Sequence, residues 1–237
     1  MNTNNIIERF FQIVKKIQIK WLYGKGDYLE AYRKHTDFRI EEDPKSAIGG
    51  KWDEIGLLQY RFLKDEGLKQ SNRMLDIGCG TLRGGHHFIK YLEKGNYYGI
   101  DISPKAVDFA NNFIKNNEDL YKKDPNIILN EQKNLKFKNF ESIKFDFILA
   151  QSVFTHLKPE HIEECFTHIM NIMHSDTCFY FTYFKSDNYN QKNMKDFEYP
   201  YSFFENMANK YGYNIKDKTK KYPHPSDQNM LVINLKT

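Results

Sequence analysis

Between Trp52 and Phe184 the chain alternates short apolar runs with segments of helical periodicity, and that rhythm leaves few folds open. The runs predict strands over Arg73–Ile77, Tyr97–Asp101, Asn126–Asn130, Phe145–Ala150 and Thr177–Phe184. Helical spacing predicts helices from Trp52 to about Leu68, Arg83 to about Lys94, Pro104 to about Asn116 and Pro159 to about Met173, two of them opening on proline. Strands joined by helices over short links form right-handed crossovers, so the expectation is a doubly wound α/β domain with a mostly parallel sheet. The tail breaks the rhythm. After a helix over Tyr201–Tyr211, the strands Tyr213–Lys218 and Gln228–Leu235 are too close for a helical crossover and should pair antiparallel. Seven strands result, the last antiparallel.

Before Trp52, the residues Ile6, Ile7, Phe10, Phe11, Ile13, Val14 and Ile17 recur at helical spacing, with Glu8, Arg9, Lys15 and Lys16 among them. We read residues 1–50 as a helical cap that packs on the domain, with contact to a membrane surface as the rival reading. Residues 51–237 form the main domain, carrying a polar, aromatic-bearing insertion at about 185–200. Lysine plus arginine number 35 against 31 acidic residues. That excess is too small and dispersed to favour nucleic acid as a partner. Three cysteines without CxxC spacing suggest neither disulfides nor zinc. With no apolar signal run and no stretch of 18 apolar residues, a cytoplasmic protein that does not insert into membranes is expected. A homo-oligomer is compatible with this reading.

The first strand runs into Asp76-Ile-Gly-Cys-Gly80, at the end of the sheet where ligands of such folds sit. A dinucleotide fingerprint starting at Gly78 and Gly80 needs a third glycine where Arg83 stands. A phosphate-binding P-loop would need Lys-Ser/Thr after Gly85, where His86-His87 occurs. A nucleoside without phosphate remains. Asp101, at the end of the second strand, can accept from both ribose hydroxyls, and Asp76 points negative charge at the same crevice. S-adenosylmethionine combines a ribose, an amine and a sulfonium.

Leu75-Asp-Ile-Gly-Cys-Gly80, Tyr98-Gly-Ile-Asp-Ile102 and Phe145-Asp-Phe-Ile-Leu-Ala-Gln-Ser-Val-Phe-Thr-His-Leu157 follow one another in order and spacing. Together they resemble three motifs of the class I S-adenosylmethionine-dependent methyltransferases, whose fold is Rossmann-like. The resemblance implies that Asp76, Gly78, Cys79 and Gly80 hold the methionine moiety, Asp101 the ribose, and Ile102 flanks the adenine. Gln151 and Ser152 would border the cofactor. The family's third loop glycine is Leu82 here, so Gly84-Gly85 would shape the turn and Arg83 would take the methionine carboxylate through its planar fork. At the third strand's end Asn130, Glu131 and Asn134 compete for the adenine.

Methyl transfer to a hydroxyl requires alignment and a base. His156, just past the fourth strand, is the first candidate, and His224, between the last two strands, the second. Tyr183, Tyr189 and Tyr199 are candidates for an acceptor pocket. The other histidines lack metal-ligand spacing, so no metal is expected. Gln151-Ser-Val-Phe154 is not the Asn/Asp-Pro-Pro-aromatic sequence of amino-methylating enzymes for nucleic acids. A small hydroxyl- or phosphoryl-bearing acceptor, such as a sugar or a bacterial surface-polysaccharide precursor, follows by exclusion and by resemblance, and a methyl phosphoramidate-type product is included. A non-catalytic cofactor-binding module and an RNA methyltransferase are the rival functions.

Overall fold

A computed structural model describes residues 13–14, 17–24, 26–47 and 49–236. The main domain opens with α3 (Trp52–Asp65), preceded by α1 (Tyr28–Glu42) and the short α2 (Pro44–Ala47). Then β1 (Met74–Ile77), α4 (Gly85–Tyr91), β2 (Tyr97–Asp101), α5 (Pro104–Lys115), α6 (Glu118–Tyr121) and β3 (Asn126–Leu129) alternate along the chain. They are followed by β4 (Phe145–Ala150), α7 (Pro159–His168) and β5 (Met173–Lys185). In the sheet the order is β3-β2-β1-β4-β5, all parallel, and it reverses direction between β1 and β4. That reversal leaves a crevice beyond the carboxyl ends of β1 and β4.

The final strands, β8 (Tyr213–Asp217) and β9 (Gln228–Leu235), pair antiparallel, and β9 continues antiparallel onto β5. The expected hairpin is therefore present. Among the described residues the sheet nonetheless has nine strands rather than seven. The insertion contributes β6 (Asn190–Gln191) and β7 (Phe197–Tyr199), ahead of α8 (Tyr201–Tyr211). The reason lies in length: β4 pairs with β5 only up to Ala150↔Phe181, and β5 runs on to Lys185. Its unpaired edge would expose backbone donors and acceptors, and β7 takes them at Phe184↔Glu198 and Lys185↔Tyr199. Because β9 occupies the other edge of β5, the β6–β7 ribbon sits past the end of β4, above the crevice.

Alternation along β5 sorts its side chains. Phe179, Phe181 and Tyr183 face a core shared with Phe154, Phe166 and Phe204, with Tyr183 and Phe204 ring centres 4.8 Å apart. Thr182 and Phe184 face the crevice side.

Asp27 caps α1 by accepting from the backbone N–H of Glu30. The helix lies across the carboxyl edge of the sheet. Ser103 donates its hydroxyl to Asp37, Thr81 donates to the Pro44 carbonyl, and Tyr28 donates to the His156 carbonyl at 2.7 Å. Ahead of α1, residues 17–23 are helical. The apolar positions read there as packing on the domain fare differently from that expectation: Ile13 and Ile17 are 57% and 61% exposed. Ile6, Ile7, Phe10 and Phe11 lie outside the described residues.

Candidate functional site

Four carboxyl-end loops converge on one cavity of about 310 Å³. In the loop after β1, Gly78 and Gly80 take positive φ angles of 69° and 54°. A side chain at Gly78 would also meet the Val153 Cγ2 atom at 2.6 Å. Leu82 has φ 66°, so it adopts the left-handed conformation itself, and the expectation that Gly84-Gly85 replaces it is corrected. Leucine tolerates this because its side chain is fully buried. Gly84, at φ −88°, and Gly85 serve close approach instead. An added Cβ would lie 2.0 Å from Gln59 Oε1 at the former and 2.4 Å from the Tyr97 hydroxyl at the latter.

Two carboxylates form the cavity floor, Asp76 buried and Asp101 half-buried. Asp76 accepts from the Tyr97 hydroxyl at 2.8 Å and is pushed up to about 7 by burial, with the Asp101 charge adding to the shift. Asp101 accepts from the Gly80 and Ser103 backbone N–H groups at 2.9 and 2.8 Å, and burial raises it as well. Neither forms an ion pair among the described residues. Beside them, the buried Arg83 donates from Nη1 to the Gly50 carbonyl at 3.2 Å. Gln151 is held by the Tyr222 hydroxyl and by Gln228, and Ser152, at φ 58°, donates its N–H to Thr182. Asp76, Gly78, Cys79, Gly80, Arg83, Asp101, Ile102, Gln151 and Ser152 all line this cavity. So do Asn130 and Asn134, whereas Glu131 borders a neighbouring pocket of about 130 Å³.

The other wall joins distant parts of the chain. His156 lines the cavity, and its Nδ1 lies 2.9 Å from Asp196 Oδ1 and 3.0 Å from the Lys195 carbonyl. Both partners are acceptors, so the Nδ1 atom carries the ring proton and Nε2 is left with its lone pair. Nε2 has no protein hydrogen-bond partner among the described residues. Burial lowers the basicity of His156 while the Asp196 hydrogen bond works against that, leaving the ring neutral at neutral pH. Burial works to raise Asp196, but hydrogen bonds from His156 and Asn193 and the neighbouring charges of Lys195 and of His156 when protonated hold it well below the usual carboxylate range. Tyr32, His35 and Arg39 of α1, and Lys195 of the ribbon, complete this wall.

Other sequence candidates lie elsewhere. His224 does not line the cavity. It sits behind Gln151, whose amide is 3.2 Å from Nε2, while the Ser226 N–H donates to Nδ1. Both ring nitrogens are engaged, and burial and the Arg83 charge depress its pKa to about 4. Tyr183 and Tyr199 are core residues, and Tyr199 donates to the Leu157 carbonyl. Tyr189 is 46% exposed and stacks on Phe197. None of the three lines the cavity, because β5 alternation and the ribbon fold turn them away from it. Asp196, His35 and Arg39 were missed by sequence reasoning, since nothing local to them signals a site.

Residues 75–179 match the model of a methyltransferase domain family. They form a class I S-adenosylmethionine-dependent methyltransferase domain. Phosphoethanolamine N-methyltransferase of Plasmodium falciparum is 30% identical over 106 residues, which are 45% of this chain and 36% of that protein. The chain thus spans about a third of that relative's length. Magnesium protoporphyrin IX methyltransferase from Synechocystis, with bound cofactor, superposes with a TM-score of 0.64 at 16% identity, covering 88% of this chain and 97% of that one. A Leishmania major methyltransferase gives 0.63 at 15% identity, covering 90% and 82%. At these identities the structures share the fold. The methyltransferase domain's own floor fits the cofactor. Two carboxylates with no ion pair among the described residues call for a cationic and hydroxyl-rich ligand.

Proposed function

We propose that this protein transfers the methyl group of S-adenosylmethionine to an oxygen of a small acceptor that also carries an anionic, phosphoryl-type group. One observation carries the reading: a neutral histidine held by a carboxylate opens onto the same cavity as Asp76 and Asp101. The cofactor supplies an electrophilic methyl on a sulfonium. Asp76 would hold the amine, Arg83 the carboxylate and Asp101 the ribose hydroxyls, in the same cavity that His156 lines. His156 accepts the acceptor's proton at Nε2, and Asp196 keeps the ring in the tautomer that allows this and stabilises the imidazolium that results. Lys195 and Arg39 face the same space, and their charges help to lower His35 to about 4, after burial. Lys195 is paired with Asp196 at 3.1 Å, so it is Arg39, together with the donors that Lys195 has left over, that suits an acidic acceptor such as a sugar phosphate or phosphorylated polysaccharide precursor. The acceptors of the relatives, a phosphorylated amine in one and a porphyrin in another, are also small molecules.

Release of S-adenosylhomocysteine in the presence of sugar phosphates, but not of the corresponding neutral sugars, is the expected result. Turnover only with RNA would support the rival RNA methyltransferase, and cofactor binding without turnover of any acceptor would support a non-catalytic module.

A further inference from the structure

Ahead of α1, the described helical residues present Ile13, Ile17 and Trp21 to solvent, 57%, 61% and 58% exposed. Ile17 and Trp21, four residues apart within the helical residues 17–23, share one helix face, and Ile13 stands four residues ahead of them in the sequence. Ile19, Leu22 and Tyr23, on the opposite side, are half-buried.

The local charge says what this face suits. Residues 9–26 contain Arg9, Lys15, Lys16, Lys20 and Lys25 and no acidic residue. In the rest of the chain 30 basic residues are outnumbered by 31 acidic ones, so the protein's net positive charge resides in this one segment. A second copy docking face to face would bring two such segments together against their mutual repulsion. Nucleic acid would pair with the lysines but leave the isoleucines wet. An anionic bilayer surface matches both properties, because its headgroups attract the basic residues while its acyl boundary takes up isoleucine and the amphipathic indole. No described helix is long and apolar enough to cross a membrane. The face is also coupled to the site: the Tyr23 hydroxyl lies 3.1 Å from His35 Nδ1, and His35 lines the acceptor wall.

We infer that the exposed Ile13-Ile17-Trp21 face, within its basic segment, docks the protein on anionic lipid surfaces with the acceptor end of the cavity beside the bilayer. This inference is independent of the acceptor's identity and of turnover.

The test is co-sedimentation of the full chain with vesicles of equimolar phosphatidylglycerol and phosphatidylcholine, against phosphatidylcholine alone. Binding is expected to the anionic vesicles only, weakening as salt rises. Ile17→Glu and Trp21→Glu should each reduce it by roughly tenfold or more, and Met170→Glu, at a residue 45% exposed elsewhere, should leave it unchanged. In a Trp52→Phe background the remaining indole, Trp21, should shift its emission to the blue on binding. Unaltered thermal melting and S-adenosylhomocysteine affinity would show that the variants are folded. Equal recovery with both vesicle types, no binding, or binding unaffected by Trp21→Glu would each overturn the inference. So would a concentration-dependent dimer lost in Ile17→Glu without vesicle binding, or coverage of the face by residues 1–12, revealed by vesicle binding only after their removal.

Discussion

The floor and the wall of the cavity are made in opposite ways. Every floor group stands within a few residues of the end of β1, β2 or β4, and the backbone there is bent into left-handed conformations at Gly78, Gly80, Leu82 and Ser152. Tyr32, His35 and Arg39 in the wall come from before the domain, and Lys195 and Asp196 from a ribbon attached to the end of β5. Here side-chain and cross-chain hydrogen bonds do the joining, as where Tyr28 binds the carbonyls of both His156 and Lys195. Their charges differ too: among the described residues the floor carboxylates form no ion pair, while in the wall Asp196 is paired with Lys195 and His156, and Arg39 and Lys195 flank His35. A ligand common to the whole fold can be held by loops that the sheet itself positions. The variable acceptor is left to segments that can be exchanged without disturbing those strands.

If floor and wall are separable, His156→Ala should lower kcat by about 10²- to 10⁴-fold while calorimetry finds S-adenosylhomocysteine binding unchanged. A parallel loss of binding would break the comparison. Asp196→Asn should also lower kcat and move the acid limb of its pH profile downward, because the carboxylate favours the imidazolium and its removal makes His156 less basic still.

Leu82→Gly probes the floor's strain. The left-handed conformation costs leucine about 1 kcal/mol, but removing a fully buried leucine side chain costs roughly 2–5 kcal/mol. Packing wins, and denaturant unfolding should show a net destabilisation of about 2 kcal/mol.

The floor's charge predicts the pH dependence of cofactor binding. Asp76, at about 7 in the free protein, must be ionised to hold the amine, so binding expels its proton as pH falls below that value. Affinity measured at pH 6 should be roughly tenfold below its plateau above pH 7, with proton release in calorimetry. Asp76→Asn should abolish this dependence and weaken binding at every pH. The smallest expected effect joins the two regions: Tyr28→Phe should lower stability by about 1 kcal/mol, with a larger change in acceptor KM than in cofactor affinity.

Parallel strands and glycine bends were readable because each leaves a local mark, an apolar run or a residue type that a tight turn requires. Leu82 was misread for the same reason, since a buried leucine in a left-handed turn carries no such mark. Among the tyrosines, parity was the missing step. Alternation from Phe181, in the core, puts Tyr183 in the core as well and turns Thr182 and Phe184 toward the site. The ribbon strands are two and three residues long, too short for a periodicity, and exist because β5 outruns β4.

By itself, then, the sequence determined the α/β class, the glycine bend, the two carboxylates and the nucleoside cofactor, all consequences of residues adjacent along the chain. Only the tertiary structure decided that Asp196 holds His156, that His224 stands behind the cavity, and that α1 lines one wall of it. The 40-residue separation of His156 and Asp196 closes only when the sheet's register fixes where an edge strand ends, and no local periodicity encodes that distance.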